Sequence, residues 1–393
     1  MLIEIEDEIF QEVFKKEDPL DQNIMVLCSL FRSMLLCKHI VFASRKNLNM
    51  LVKNSGITSD IREFAQWILK EYVSVYACSS MVNIRAIASL SHDKVTYEEI
   101  EQKGKVIYVP FSHFYDVNEC KMLTEHESDS LFYQRISRYV YLKKKDRFFY
   151  TIKYENDSYH GSNGPTKIAQ VSQTHKLVLC FVDTDKAYHD GQRGSTYNGV
   201  KDAVTKAQKK IPIELMELPV REKENLFPPT IYYEFTDNNL IKVIAETYPD
   251  DVEISDYFDI KGGVKYKLIF SEEPRWHSYY DKLIQTCERE GICNTALTKD
   301  DMDKYYLVGI GDKLCDGVSE VLLTDDENAV NRNFTQFSDE KKNMINAARG
   351  EIMKRLPQRV EMYWEMIAGK VFDWGCCLSQ ESYPRIRNWS VLQ

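Results

Sequence analysis

No stretch of this chain stays apolar for the roughly 20 residues that a membrane-crossing helix needs, so a bilayer span is not expected. The opening run MLIEIEDEIFQEVF lacks the basic and apolar regions of a signal peptide, which leaves a soluble, cytoplasmic protein as the expectation. The ten cysteines include no CxxC pair and no histidine at a zinc-finger distance, which argues against a structural zinc site. Scattered in this way, they read as small buried hydrophobes. No loop ends in Gly-Lys-Ser/Thr. The nearest candidate, HGSNGPTK at 160–167, has the wrong glycine spacing for a Walker A loop and reads as a structural turn, so no ATPase is expected within the chain. Net positive charge is also missing: the balance of −9 excludes a general nucleic-acid coat protein but not an enzyme that meets nucleic acid locally. There is no internal repeat and no low-complexity tract.

What is present is material for a large core. Hydrophobic residues make up 44% of 393 positions, more than one typical domain requires. Three blocks separate by pattern. Residues 1–115 look mainly helical, or a small α/β domain. Phe64, Ile68 and Tyr72 recur at helical spacing, and HIVFAS (39–44) reads as one buried strand. Residues 116–272 alternate strand and helix: KMLTE, then a helix capped at Ser128, then RFFYTIKY as a strand, then KLVLCFVDTD, a helix over 195–209, and IELMEL. This alternation predicts an α/β fold with a mostly parallel sheet and crossover helices. The unbroken apolar run in KLVLCFV predicts a central strand covered on both faces. Residues 273–393 read as helical, with Ser338 opening a long helix that Pro357 must kink or divide.

In parallel α/β sheets, ligands gather at the carboxyl ends of strands. Three such ends carry acids here: Glu125, with Asp129 one helical turn on; Asp183 and Asp185; and Glu222 and Glu224. If the strand continues, Asp183 and Asp185 share one face. Several carboxylates held together resist joint ionisation, and a hard divalent cation such as Mg²⁺ relieves that cost. Two such ions can stabilise the attacking and leaving oxygens of phosphodiester cleavage. Lys261, in FDIKGGVKYK, is a candidate cation for the developing charge. The glycines after it permit close backbone approach. Basic residues cluster at Lys143, Lys144, Lys145 and Arg147, and again at Lys201, Lys206, Lys209 and Lys210. Each cluster suits a phosphate backbone or a solvated helix face.

LTEHESDSLFYQRI resembles the first motif of Toprim domains, in which a strand delivers a glutamate into a turn and an acid follows on the next helix. FVDTD resembles the Toprim DxD motif. Arg221, Glu222, Glu224 and Asn225 resemble the Arg-Glu-x-Glu-Asn segment of OLD-like Toprim nucleases from bacterial anti-phage systems. His126 departs from the pattern, standing where many Toprim proteins have glycine. The resemblance implies a Toprim-like domain with Glu125 nearest the chemistry and Asp129, Asp183, Asp185 and Glu224 holding metal, with Glu222 as partner. It implies Mg²⁺ or Mn²⁺, in two ions, as cofactor. Lys261 would be the late lysine of such sites, and Arg221 with Lys143, Lys144 and Lys145 would contact nucleic acid. It also implies a toxic effector that cuts DNA or RNA beside a separate ATPase sensor subunit, with a homo-oligomer open. The alternative is a catalytically inactive Toprim-fold module that binds nucleic acid or regulates a defence complex. A topoisomerase or primase is disfavoured, since no tyrosine-bearing breakage domain, zinc ribbon or polymerase region is evident.

Overall fold

A computed structural model describes residues 1–15, 21–143, 149–174, 176–270 and 274–383. The chain divides into two compact units. The first is Met1–Phe181, Gly199–Met216 and Met366–Gln393; the second is Val182–Asn198 and Glu217–Glu365. Among the described residues no helix is long and apolar enough to cross a membrane. All ten cysteines are free, and nine of them are buried.

The first unit opens with a sheet. Strands β1 (Leu2–Ile5), β2 (Ile40–Phe42), β3 (Ile84–Ser89), β4 (Thr96–Ile100) and β5 (Gly104–Pro110) pair in the order β2-β1-β3-β5-β4. All pairs are parallel except β4 with β5. Of the two readings of residues 1–115, mainly helical or small α/β, this sheet fits the α/β one. The strands hid because they carry charges: Glu4 on β1 lies 3.9 Å from Arg85 on β3, a strand buried along its whole length. HIVFAS does supply β2. The run around Phe64 forms the helix Ser59–Lys70, which buries Ile61, Phe64, Ala65 and Ile68.

Next come β6 (Lys121–Thr124), β7 (Tyr150–Ile152), β8 (Glu155–Ser158), β9 (Val178–Val182) and β10 (Ile213–Glu217). Four of these form a second sheet in the order β10-β9-β6-β8. β6 runs parallel to both β8 and β9, with Leu123 opposite Asp157 and Cys180. All five residues of β9 are buried, as its unbroken apolar run predicts for an inner strand. The α/β class with a mostly parallel sheet is therefore observed. Among the described residues of RFFYTIKY, β7 is the strand; it lies outside this sheet and pairs antiparallel with β13 (Cys376–Leu378). Glu214 on β10 ties the two sheets of this unit together. It meets Lys105 of β5 at 2.9 Å, Lys370 at 3.0 Å and the indole N–H of Trp374 at 2.9 Å.

The helix after β6 is Glu127–Ser137, and its cap is His126 rather than the expected Ser128. Asp129 Oδ2 accepts from His126 N at 2.9 Å, so the acid in the first turn supplies the missing partner for the helix end. The described residues of the second unit are mostly helical, with a short antiparallel pair of β11 (Gly263–Lys265) and β12 (Tyr305–Val308). Ser338 caps the helix Asp339–Met353, and Pro357 separates it from the helix that begins at Gln358.

His39 lies fully buried at the end of the helix-to-β2 turn. Its Nε2 donates to Asn118 O at 2.7 Å, while Nδ1 has no partner. Burial holds its imidazole well below the ordinary histidine range, so it stays neutral in the fold. As pH falls below the ordinary value, the unfolded chain takes up a proton that the folded chain refuses. Stability is then lost at about 1.4 kcal/mol per pH unit. Urea unfolding of wild type and His39→Gln at several pH values between 5 and 7.5 checks this: the difference between the two curves should shrink toward acid. A constant difference would refute it.

Candidate functional site

Glu125 follows β6 directly and is half-buried. Its main-chain O accepts from His160 N at 3.1 Å, and Tyr159 N donates to Thr124 O at 3.0 Å, so pairing with the β8 segment continues past the strand ends. The chain then turns through two positive φ values, His160 at 52° and Gly161 at 62°. Glycine suits the second because a positive φ strains any residue with a side chain; a Cβ there would meet Glu125 Oε1 at an ordinary 3.5 Å. Within this unit the turn collects Glu125 and the exposed His126 and His160, whose ring centroids are 6.0 Å apart. Asp129 is buried and engaged as the helix cap.

In the second unit, the segments after β9 and β10 are knitted by main chain. Thr184 N and Asp185 N both donate to Arg221 O, at 3.1 and 3.2 Å, and Arg221 N donates to Asp256 O at 2.8 Å. The strand ends at Val182, and Asp185 takes a left-handed φ of 53°. The expectation that Asp183 and Asp185 alternate onto one face of a continuing strand is thus corrected: a turn bonded to Arg221 sets their directions. The Asp185 side chain rests on Gly194, where a Cβ would lie 2.4 Å from its Oδ2 and 2.8 Å from its Cβ.

Glu222 begins a 3-10 turn, Lys223–Leu226, and its N–H donates to Asn225 Oδ1 at 3.3 Å. Asn225 Nδ2 donates in turn to the carbonyls of Ser255 and Phe258, at 2.9 and 3.0 Å. Both carboxylate oxygens of Glu222 are met by cations: Oε1 by Arg221 Nε at 3.0 Å and Oε2 by Lys261 Nζ at 2.9 Å. Arg221 also lies 3.7 Å from Asp259, and Lys261 lies 3.5 Å from Asp312. Glu224 is only 2% exposed, and its Oε1 has no hydrogen-bond partner. Two glycines after Lys261 do permit close approach, but to β12: a Cβ at Gly263 would lie 2.1 Å from Leu307 O.

These contacts set the charges. Burial pushes Glu224 up to about 7. Burial, then the neighbouring Glu222, raises Asp185, and burial raises Asp259. Glu222 is also buried, yet Lys261 and Arg221 hold it below the usual carboxylate range. Burial works against the Lys261 ammonium, but Glu224 and Glu222 outweigh it and raise its pKa.

The second unit therefore brings Asp185, Arg221, Glu222, Glu224 and Lys261 into one charged cluster. Asp259 belongs to it too; it was missed because nothing in FDIKGG marks it beyond its place before Lys261. Of the expected basic patch, Lys144, Lys145 and Arg147 lie outside the described residues, and Lys143 ends a π-helical turn, Arg138–Lys143. Lys201, Lys206, Lys209 and Lys210 are all exposed, on or just past the helix Ser195–Ala207. His175 is also outside the described residues.

The donors of the cluster are carboxylate oxygens, the type that Mg²⁺ prefers, and the unpartnered Glu224 oxygen is a place where a cation would be welcome. In donor chemistry and charge the residues fit such an ion. Among the described residues, however, no group of three or more His, Cys, Asp or Glu side chains is arranged to hold one, and Glu222 already has a cation on each oxygen. In comparisons with protein families, curated proteins and solved structures, the chain matches none.

Gly194→Ala should displace Asp185 and cost about 1–3 kcal/mol of stability through overpacking. The urea midpoint of the variant measures this. An unchanged midpoint would mean that Asp185 does not rest on Gly194.

Proposed function

We propose that this protein is a metal-dependent nuclease of the Toprim type, an endonuclease that hydrolyses phosphodiester bonds of DNA or RNA with Mg²⁺ or Mn²⁺. The observation that carries the reading is the cluster of Asp185, Glu222 and Glu224, where a 98%-buried carboxylate keeps an unpartnered oxygen beside Lys261. Clusters of acids with displaced pKa values are more common at working sites than in ordinary cores, because packing alone selects against them. The topology supports the same reading. β6 and β9 are parallel neighbours, and each is followed directly by an acid that the Toprim resemblance singles out, Glu125 and Asp183.

In this reading Asp183, Asp185 and Glu224 would hold the metal; the further roles, Asp129 as a ligand and Glu125 as the acid nearest the reacting phosphate, rest on the Toprim resemblance alone. A bound divalent ion supplies Lewis-acid stabilisation and a water of lowered pKa. Glu222 orients Lys261 at 2.9 Å, and the Lys261 ammonium offers positive charge to the phosphoryl oxygens as negative charge builds on them. Arg221 is committed to Glu222 and to the main chain of Lys186, which it reaches at 3.4 Å, so it serves the loop before it serves a substrate. The role of toxic effector in an anti-phage system, working beside a separate ATPase sensor, rests on the resemblance alone.

One observation favours the second reading, an inactive nucleic-acid-binding or regulatory module. Both oxygens of Glu222 are already paired, as an acid cluster retained only for structure would have them.

The test is cleavage of end-labelled RNA and DNA by the full chain with Mg²⁺ or Mn²⁺. Cutting should vanish with chelator and fall by about 100-fold or more in Glu125→Ala and Asp183→Ala, beyond what disturbing a ligand's support alone costs. Circular dichroism and melting of both variants should match wild type. If both variants cut as well as the parent, the nuclease reading is wrong. If no form cuts but all bind, the module reading stands.

A further inference from the structure

The loop after β9, residues 183–194, contains no helix or strand, and it carries Asp183 and Asp185. Its ends are closed by short-range bonds. Gly194 N donates to Thr184 O at 3.0 Å, and Thr184 Oγ1 donates to Val220 O at 2.8 Å. The middle, residues 186–189, is met from other elements of the same unit. Arg221 Nη1 reaches Lys186 O at 3.4 Å, near the limit of a hydrogen bond. Glu253 Oε2 accepts from His189 N at 3.0 Å, but in the open, where water competes. The third contact is sheltered: the hydroxyl of Tyr280, a residue only 1% exposed, donates to Ala187 O.

Tyr280 is itself held firmly. It lies on the helix Pro274–Arg289, with its ring edge-on to Phe258 at 5.4 Å and against Trp276 at 5.3 Å. Burial holds its phenol above the ordinary tyrosine range, so the hydroxyl keeps its proton and stays a donor. Tyr279, the next residue, stacks on Tyr188 of the loop with ring centroids 5.3 Å apart. Two consecutive residues of one helix therefore grip two consecutive residues of the loop.

We propose that the helix Pro274–Arg289 is the latch of this loop, and that Tyr280, through its hydroxyl on Ala187 O, is a positioning residue for Asp183 and Asp185. The hold is applied two residues from Asp185, whose φ of 53° is a conformation that a residue with a side chain keeps only where its surroundings impose it. Arg221 O fixes that turn from one side, through Thr184 N and Asp185 N, and Tyr280 fixes it from the other. The latch stands on these contacts alone. Its consequence for catalysis rests on the nuclease reading.

The experiment uses the full chain with Tyr280→Phe, which keeps the ring and removes only the hydroxyl. Tyr248→Phe is the control: it removes a hydroxyl bonded to Lys282 O of the same helix at 3.0 Å without touching the loop. Hydrogen exchange read by peptide mass spectrometry should become several-fold faster over residues 183–194 in Tyr280→Phe, with β9, β10 and the helix unchanged. In Tyr248→Phe the loop should exchange as in wild type. Loop exchange that does not change in Tyr280→Phe overturns the proposal, as does an equal rise throughout the unit. Should Tyr280→Phe fail to fold, Tyr279→Leu removes the stack on Tyr188 and is read in the same way. In cleavage of end-labelled nucleic acid, kcat of Tyr280→Phe should fall about tenfold with KM unchanged, the pattern of lost placement rather than lost binding. A loosened loop that cuts with the wild-type kcat removes the positioning role and leaves the nuclease reading intact. If wild type does not cut, the nuclease reading fails, and the exchange measurement still decides the latch.

Discussion

A carboxylate removed from water must be met by a proton, a donor or a positive charge, and the loops that follow β9 and β10 are organised around that requirement. Glu222 is the centre. With Arg221 on one oxygen and Lys261 on the other, it stays ionised despite burial. Glu224, two residues on, has no such pair and drifts toward neutrality. The difference between these neighbours follows from the 3-10 turn that begins at Glu222 and carries Glu224 inward, where Tyr232 OH bonds its carbonyl at 2.9 Å. The main chain of the turn is anchored by Asn225, whose amide bridges two carbonyls of the Ser255–Phe258 segment. Take away the charge pairing at Glu222 and the turn would hold two buried acids with Lys223, itself paired with Asp316, left to oppose them. Breaking such a buried arrangement by removing one partner typically costs about 3–5 kcal/mol.

Much of the second sheet was legible in the sequence. An apolar run such as VLCFV has one stable home, inside a sheet covered on both faces, and β9 occupies it. The acids that follow such strands are also visible, because strand ends are where a chain emerges from the core. The first sheet was less legible. LIEI and IRAIAS carry Glu4 and Arg85, and a charged residue in a short apolar run weakens the strand signal unless its partner is known. That partner lies some eighty residues away and is found only by folding. RFFYTIKY does supply the strand its alternation predicts, β7, but alternation says that a strand exists, not which neighbour it chooses.

The site was legible in part. Of the candidates that residue types and order single out, Asp185, Glu222, Glu224 and Lys261 fall in one charged cluster, while Glu125 and Asp129 belong to the other unit. What they do to one another was not readable. That Asp129 spends one oxygen on the His126 N–H, that Asp185 turns left-handed and rests on a glycine, and that Asp259 joins the cluster all depend on backbone geometry in irregular loops. Periodicity carries no information there.

The segment that carries Lys261 is held by its backbone. Ile310 N bonds Ile260 O and Gly311 N bonds Lys261 O, each at 3.0 Å, and the glycines at 263 and 309 let the two segments run closer than any side chain would allow. The Cα of Lys261 is therefore fixed, and its part-exposed side chain reaches Glu222 and Asp312 by its ammonium. Movement of the ammonium needs only rotation about side-chain bonds, which in exposed residues takes picoseconds to nanoseconds, whereas loop and domain rearrangements run to microseconds and beyond. Any change at the ammonium end can therefore proceed by side-chain rotation alone, without movement of the backbone that carries it.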